Sequence, residues 1–152
     1  MGVSDMNNEL MLKKLMETYQ LFAEYNEQAF LENYSNLNIN EVHAIDYIGR
    51  TERANVTKIT QHLKVTKGAV TKITKKLMSN EYISLYQTEE NKKEKYFSLT
   101  KKGEAIFIKH ETLHMEAMIR DKKIFEYLNE SEKEVILRFL DILEKDFHEK
   151  LK

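Results

Sequence analysis

The chain has 152 residues, no cysteine, no proline and only 4 glycines, and its formal net charge is −1. This length predicts a single domain with a substantial core, and the lack of cysteine excludes disulfides, thiol redox chemistry and cysteine-ligated zinc. Because there is no apolar run of about 18 residues and no signal-peptide pattern at the N-terminus, we expect a cytoplasmic protein made mainly of long helices.

The first predicted element is a helix over residues 6–33, in which apolar residues recur at helical spacing on two sides. A helix of this kind usually packs against two partners, and we expect the second to be another subunit. Asn38 and Glu41 have the spacing of a capping box and predict a second helix that ends at Gly49. Asn55 is the predicted N-cap of a short third helix.

Thr66 is the predicted N-cap of a fourth helix, whose inward stripe is Val70, Ile73 and Leu77. The outward positions of this helix are small, hydroxylated or basic, and they are Lys67, Gly68, Thr71, Lys72, Lys75 and Lys76. After Tyr82 the apolar period changes from helical spacing to alternation, which predicts two strands around a charged tip. A helix pair followed by a two-stranded wing is the order that places one helix in a DNA major groove.

The chemistry of this segment also suits DNA. Small and hydroxylated side chains at Thr66, Gly68 and Thr71, together with Lys67, are expected at base edges, and the lysines farther along the helix at phosphates. At the wing tip, Asn91, Lys92 and Lys93 are expected to reach a phosphate or the minor groove. Between residues 58 and 102 the chain has 11 Lys and 4 Glu, a local net charge of +7. This block predicts a binding face for a polyanion.

Two more helices complete the predicted fold. Thr100 is expected to cap a helix that runs from Lys101 to about Leu128, and Asn129 and Glu132 form the capping box of a last helix. Residues 37–99 are predicted to form a winged-helix DNA-binding lobe, and residues 1–36 and 100–152 a helical dimerisation lobe, within one domain. A twofold homodimer built from the two termini would place its recognition helices about 34 Å apart on a near-palindromic site.

The sequence resembles the MarR family of bacterial transcriptional regulators over nearly its whole length. The resemblance rests on NINEVHAIDYIG, VTKGAVTKITKKLMSNEYI and NKKEKYFSLTKKGEAI. It implies a mainly α-helical, homodimeric winged helix-turn-helix protein, most often a repressor, with an effector pocket and no catalytic activity. The pattern is closest to repressors of fatty-acid synthesis genes and of zinc uptake. At the wing, Asn91, Lys92 and Lys93 stand where the family usually has Asp-x-Arg, so the bidentate fork of arginine is lost.

The resemblance also implies effector residues, and it leaves their ligand open. The resemblance to the zinc-uptake repressors implies a zinc site made of His43, His110 and His114, with Glu24 or Glu27 from the first helix as the fourth ligand. An acyl chain or another apolar effector would instead be lined by Tyr19, Phe22, Tyr47, Phe107 and Met118. Structural hydrogen bonding is a third role open to the histidines.

Two other functions are compatible with parts of the sequence. His110, Glu111 and His114 match the H-E-x-x-H motif, so a zinc-dependent hydrolase is one alternative. That motif needs a third ligand, usually downstream, and only His148 follows. A protein-interaction adaptor that uses its terminal helices is the second alternative, and it would leave the +7 block unexplained.

Overall fold

The computed structural model describes residues 3–151, with side chains from Asn7 onward. The chain is mainly helical, as predicted, and carries one two-stranded sheet. Its elements are α1 (Val3–Asn33), α2 (Ile39–Arg50), α3 (Val56–Leu63), α4 (Lys67–Ser79), β1 (Ile83–Tyr86), β2 (Tyr96–Leu99), α5 (Lys101–Lys122) and α6 (Glu130–Lys150). A 3-10 segment, Lys123–Tyr127, follows α5. The chain divides into two compact units, Met1–Glu104 and Ala105–Lys152. Among the described helices, none combines the length and apolar character that a bilayer span requires.

The helices begin where the predicted caps place them. Asn38 accepts a hydrogen bond from the Glu41 amide and donates its own amide to the Glu41 carboxylate, both at 3.0 Å. Thr66 accepts from the amide of Ala69 at 3.2 Å. The predicted caps at Asn55 and Asn129 form as well. Each cap satisfies backbone amides that the first helical turn leaves without a partner, so these four starts are confirmed.

Three predicted helix boundaries were less accurate than the caps. α1 begins at Val3 rather than near residue 6. α2 continues through Gly49 to Arg50, because no described glycine adopts the left-handed conformation that would end the helix there. The Arg50 guanidinium instead holds the last turn by bonding Asp46 at 3.0 Å.

The predicted end of α5 near Leu128 is wrong, because the α-helix stops at Lys122 and tightens into the 3-10 segment. No residue of that segment is buried, so apolar packing does not hold these residues in α-helical form.

Three helices and the hairpin share the core of the first unit. α2 packs against α3, α4 and β2, and α4 also contacts β1. The largest fully buried side chains are Val42, Ile45, Ile59, Val70 and Leu77. The predicted inward stripe of α4 is confirmed, since all three of its residues are buried. The opposite face of α4 is therefore turned away from this core.

The hairpin contacts the loop before α3, and the residue that precedes it lies against the first turn of α5. β1 and β2 are antiparallel, with Ile83 opposite Leu99, and the amide of Phe97 donates to the Ala54 carbonyl at 2.8 Å. At the start of α5, an added Cβ on Gly103 would lie 2.0 Å from the Tyr82 carbonyl oxygen. The glycine is therefore required by the close approach of the first turn of α5 to the segment before β1.

Candidate nucleic-acid interface

The outer face of α4 presents the residues that were predicted to contact DNA. Thr66, Lys67 and Gly68 are exposed at its N-terminal end, and Lys72 and Lys75 are exposed farther along. Positions 68, 72 and 75 follow helical spacing, so they share one side of the helix. On this side of the helix, the small Gly68 comes first and the basic Lys72 and Lys75 follow. A small residue allows close approach to bases, and lysines suit phosphates.

The two hydroxyl groups on this face differ in what they can offer a base. The Thr71 hydroxyl donates its hydrogen to the Lys67 carbonyl at 2.9 Å, so its oxygen is left as an acceptor. The Thr66 hydroxyl accepts from Ala69, so its hydrogen is left to donate. In the major groove, the Thr71 hydroxyl could accept a hydrogen bond from the amino group of adenine or cytosine. The Thr66 hydroxyl could donate to a phosphate oxygen, or to a carbonyl oxygen or ring nitrogen of a base.

Gly68 has no structural role inside the chain. An added Cβ there would meet nothing within 4 Å, and the backbone is not left-handed. Glycine in a helix nevertheless costs up to about 1 kcal/mol relative to alanine. The fold alone does not explain why a glycine stands at this position on an exposed face.

Lys76 has a partner that the sequence did not reveal. Its ammonium lies 2.8 Å from one oxygen of the Glu41 carboxylate and 3.0 Å from the other. The Glu41 side chain is only 3% exposed, whereas that of Lys76 is 48% exposed. Lys76 is thus anchored to the start of α2, and a phosphate contact from this lysine stays a prediction.

The wing tip is built by side-chain bonds to its own backbone. Asn91 accepts from the amides of Lys93 at 3.1 Å and Glu94 at 3.3 Å, and Gln87 donates to the Lys92 carbonyl at 2.6 Å. These are the bonds of a turn-forming asparagine. The side chains of Lys92 and Lys93 are exposed, whereas Asn91 is partly buried. Contact of these three residues with DNA stays a prediction.

Two acidic residues near the wing tip bond to neighbouring side chains. The Arg53 guanidinium lies 3.1 Å from the Glu90 carboxylate, which ties the turn after α2 to the tip. The Tyr96 hydroxyl donates to Glu94 at 2.6 Å, and this hydrogen bond, followed by burial, raises the pKa of Tyr96 above its usual range. Sequence reasoning missed Arg53 as a member of this surface. The sequence feature that could have indicated it is the presence of an arginine in the loop before the third helix.

His110 and His114 lie on one face of α5, as their spacing predicted. Their Nε2 atoms are 3.0 Å apart, and His110 is buried. His43 lies on α2, and Glu24 on α1 accepts from Gln20 at 3.4 Å. Among the side chains described, from Asn7 to Leu151, no group of three or more His, Asp or Glu residues is placed to hold one metal ion. The metal site therefore stays a prediction.

The predicted effector residues are distributed over three helices. Tyr19 and Phe22 on α1 and Met118 on α5 are exposed, and Phe107 on α5 is partly exposed. Tyr47 on α2 stacks on the His62 ring, with the ring centroids 4.3 Å apart. The pocket also stays a prediction.

The chain is similar to known regulators in sequence and in fold. Residues 37–95 match the sequence model of the MarR family. The HTH-type transcriptional regulator PchR of Bacillus subtilis (strain 168) is 37% identical over 124 residues, which cover 82% of this chain and 72% of PchR. The uncharacterized HTH-type transcriptional regulator YhjH of the same organism is 34% identical over 98 residues, covering 64% and 56% respectively.

Solved structures extend this similarity to nearly the whole chain. Streptococcus pneumoniae FabT in complex with DNA has a TM-score of 0.68 and 28% identity, covering 91% of this chain and 99% of that one. Lactococcus lactis ZitR, a zinc-responsive MarR family member, has the same fold, with a TM-score of 0.68 at 24% identity, covering 88% and 99%.

Proposed function

Since the chain belongs to the MarR family of DNA-binding transcriptional regulators, we propose that it acts as a homodimeric repressor of a near-palindromic operator. The observation that carries this proposal is the outer face of α4, which is exposed, basic along its flank and small at its start. The family is one of regulators and not of enzymes, so the H-E-x-x-H match has no catalytic role. A cytoplasmic location is part of the proposal, because that is where the operator DNA lies.

In the proposed complex, α4 enters the major groove with its N-terminal end toward the bases. Thr66, Lys67 and Gly68 face base edges there, because they occupy the exposed start of the helix, and the half-buried Thr71 follows one turn later on the same side. The exposed lysines of the α4 flank and of the wing neutralise phosphates, which orients the helix and makes affinity fall with salt. These lysines are Lys72, Lys75, Lys92 and Lys93.

Exposed apolar surface supports the homodimer. α6 carries an apolar stripe along its length, yet it contains no buried residue. Leu140 is 45% exposed and Phe147 53% exposed, and on α1 Met11 and Phe22 are exposed by 62% and 60%. Apolar faces of this extent usually mark a protein interface. We therefore assign both terminal helices to pairing with a second copy of this chain.

The proposal includes a small effector that changes the separation of the two DNA-binding lobes. The exposed aromatic residues Tyr19 and Phe22 and the adaptable Met118 suit an acyl chain or another apolar ligand. Zinc is the second candidate, because the Nε2 atoms of His110 and His114 converge to 3.0 Å. Two nitrogen donors are fewer than a zinc site needs, so His43 and Glu24 remain predicted ligands, implied by the family resemblance.

Affinity for the DNA upstream of the chain's own gene tests the proposal. Fluorescence anisotropy on that duplex and on a scrambled duplex of equal composition should show a preference of about 10³-fold or more. Equal affinity for the two duplexes would contradict a sequence-specific repressor. Repeating the titration after chelation and then with micromolar zinc tests the effector. A tenfold change that His110→Ala abolishes would support zinc, and no change would favour an apolar ligand.

A further inference from the structure

A buried carboxylate links the start of α2 to the end of the candidate recognition helix. Glu41 is 2% exposed, and its carboxylate accepts from the Asn38 amide at 3.0 Å. The same carboxylate holds the Lys76 ammonium at 2.8 and 3.0 Å, across 35 residues of sequence. The pair therefore connects two helices that sequence spacing does not bring together.

The helix cap does not require a charged residue at position 41. A glutamine at the same position completes a capping box as well as a glutamate does. A buried carboxylate loses its hydration, and its pairing with one lysine only offsets that loss. The cap alone does not account for this buried charge, whereas the Lys76 ammonium beside it does.

We propose that Glu41 is a positioning residue for DNA recognition. It fixes the end of α4 against α2, and it withdraws the charge of Lys76 from the phosphate contacts made by Lys72 and Lys75. The proposal rests on the proposed placement of α4 in the major groove. Its consequence is that removing the carboxylate charge strengthens binding to DNA of any sequence while weakening discrimination between sequences.

Glu41→Gln tests this directly, because its amide oxygen can still accept from the Asn38 amide, whereas the charge and one of the two oxygens that accept from Lys76 are removed. The released Lys76 is expected to add about one phosphate contact per subunit. The slope of log affinity against log salt should then steepen by about 0.9 per subunit. Affinity for scrambled DNA should rise, and the ratio of operator to scrambled affinity should fall by tenfold or more. An unchanged slope with an unchanged ratio would overturn the proposal.

Two further variants separate positioning from folding. Lys75→Met is the matched control, since Lys75 is exposed on the same helix, and it should make the salt slope shallower. Lys76→Met in the Glu41→Gln background should return the slope to that of the wild-type chain. If Lys76→Met alone reduces the slope as much as Lys75→Met does, Lys76 contacts phosphate and the proposal fails. Failure of the proposed function itself is distinguishable, because the wild-type chain would then show no operator preference.

Discussion

Replacing Gly68 with alanine should stabilise the protein and weaken its binding to DNA. Because nothing lies within 4 Å of the added Cβ and the backbone is not left-handed, the folded chain accepts the methyl group without strain. The unfolded chain loses conformational freedom, so the free energy of unfolding should rise by up to about 1 kcal/mol. For a protein of this size, such a gain raises the melting temperature by about 2–4 °C.

The same methyl group should be harmful in the complex. Gly68 lies at the second position of α4, on the exposed side that we place against base edges. Overpacking a close contact costs about 1–3 kcal/mol, which corresponds to a loss of roughly 5- to 150-fold in operator affinity. Thermal unfolding followed by circular dichroism and anisotropy on the operator, both on one preparation, would measure the two effects.

Gly103→Ala is the matched control, because this glycine is required inside the chain. Its added Cβ would lie 2.0 Å from the Tyr82 carbonyl, so we expect a loss of about 3 kcal/mol or more in the free energy of unfolding. A Gly68→Ala protein that is less stable than wild type would show that the fold needs the glycine after all. A stabilised Gly68→Ala protein with unchanged operator affinity would refute a close approach to DNA.

Two other substitutions probe residues that we propose to contact DNA. Thr71→Val removes the hydroxyl acceptor while the shape of the side chain stays nearly the same. The free energy of binding should weaken by about 1–3 kcal/mol on the operator and little on scrambled DNA. Equal losses on the two duplexes would show that Thr71 does not contact a base. Lys93→Ala should weaken binding to all duplexes and make the salt slope shallower by about 0.9 per subunit, whereas an unchanged slope would exclude a phosphate contact.

Tyr96→Phe should reduce the loss of stability at alkaline pH. The hydrogen bond to Glu94 raises the pKa of Tyr96 in the folded protein. The bond therefore stabilises the fold fully at pH values below the pKa that Tyr96 has in the unfolded chain. This stabilisation is lost as the pH rises through the higher pKa of Tyr96 in the folded protein. Urea unfolding from pH 8 to 11 measures this, and identical pH profiles for the two proteins would contradict it.

The sequence predicted those features that depend on neighbouring residues. The cap at Thr66 and the capping box at Asn38 rest on bonds that span three residues, so spacing and residue type suffice to identify them. The inward stripe of α4 and the change of period after Tyr82 follow equally from local apolar patterning. This local information was enough for a mainly helical winged-helix fold.

Features that depend on tertiary contacts could not be predicted in this way. The Glu41 pair with Lys76 spans 35 residues, and the Arg53 pair with Glu90 spans 37. Which lysine of α4 meets a carboxylate depends on how α4 packs against α2, and helical spacing alone leaves Lys72, Lys75 and Lys76 equivalent. The turn-building role of Asn91 is different, because its bonds to the amides of Lys93 and Glu94 span only two and three residues. The charge of the wing tip pointed to DNA contact and gave no sign of this local role.

Hydroxyl-radical footprinting of the chain on its own upstream DNA tests the central claim most directly. If two copies each place α4 in a major groove, the footprint contains two protected clusters on one face of the duplex, about 34 Å or one helical turn apart. Both clusters should disappear together at high salt, since the phosphate contacts hold both subunits. A single cluster, or uniform protection without sequence preference, would contradict a homodimer that contacts successive grooves through α4.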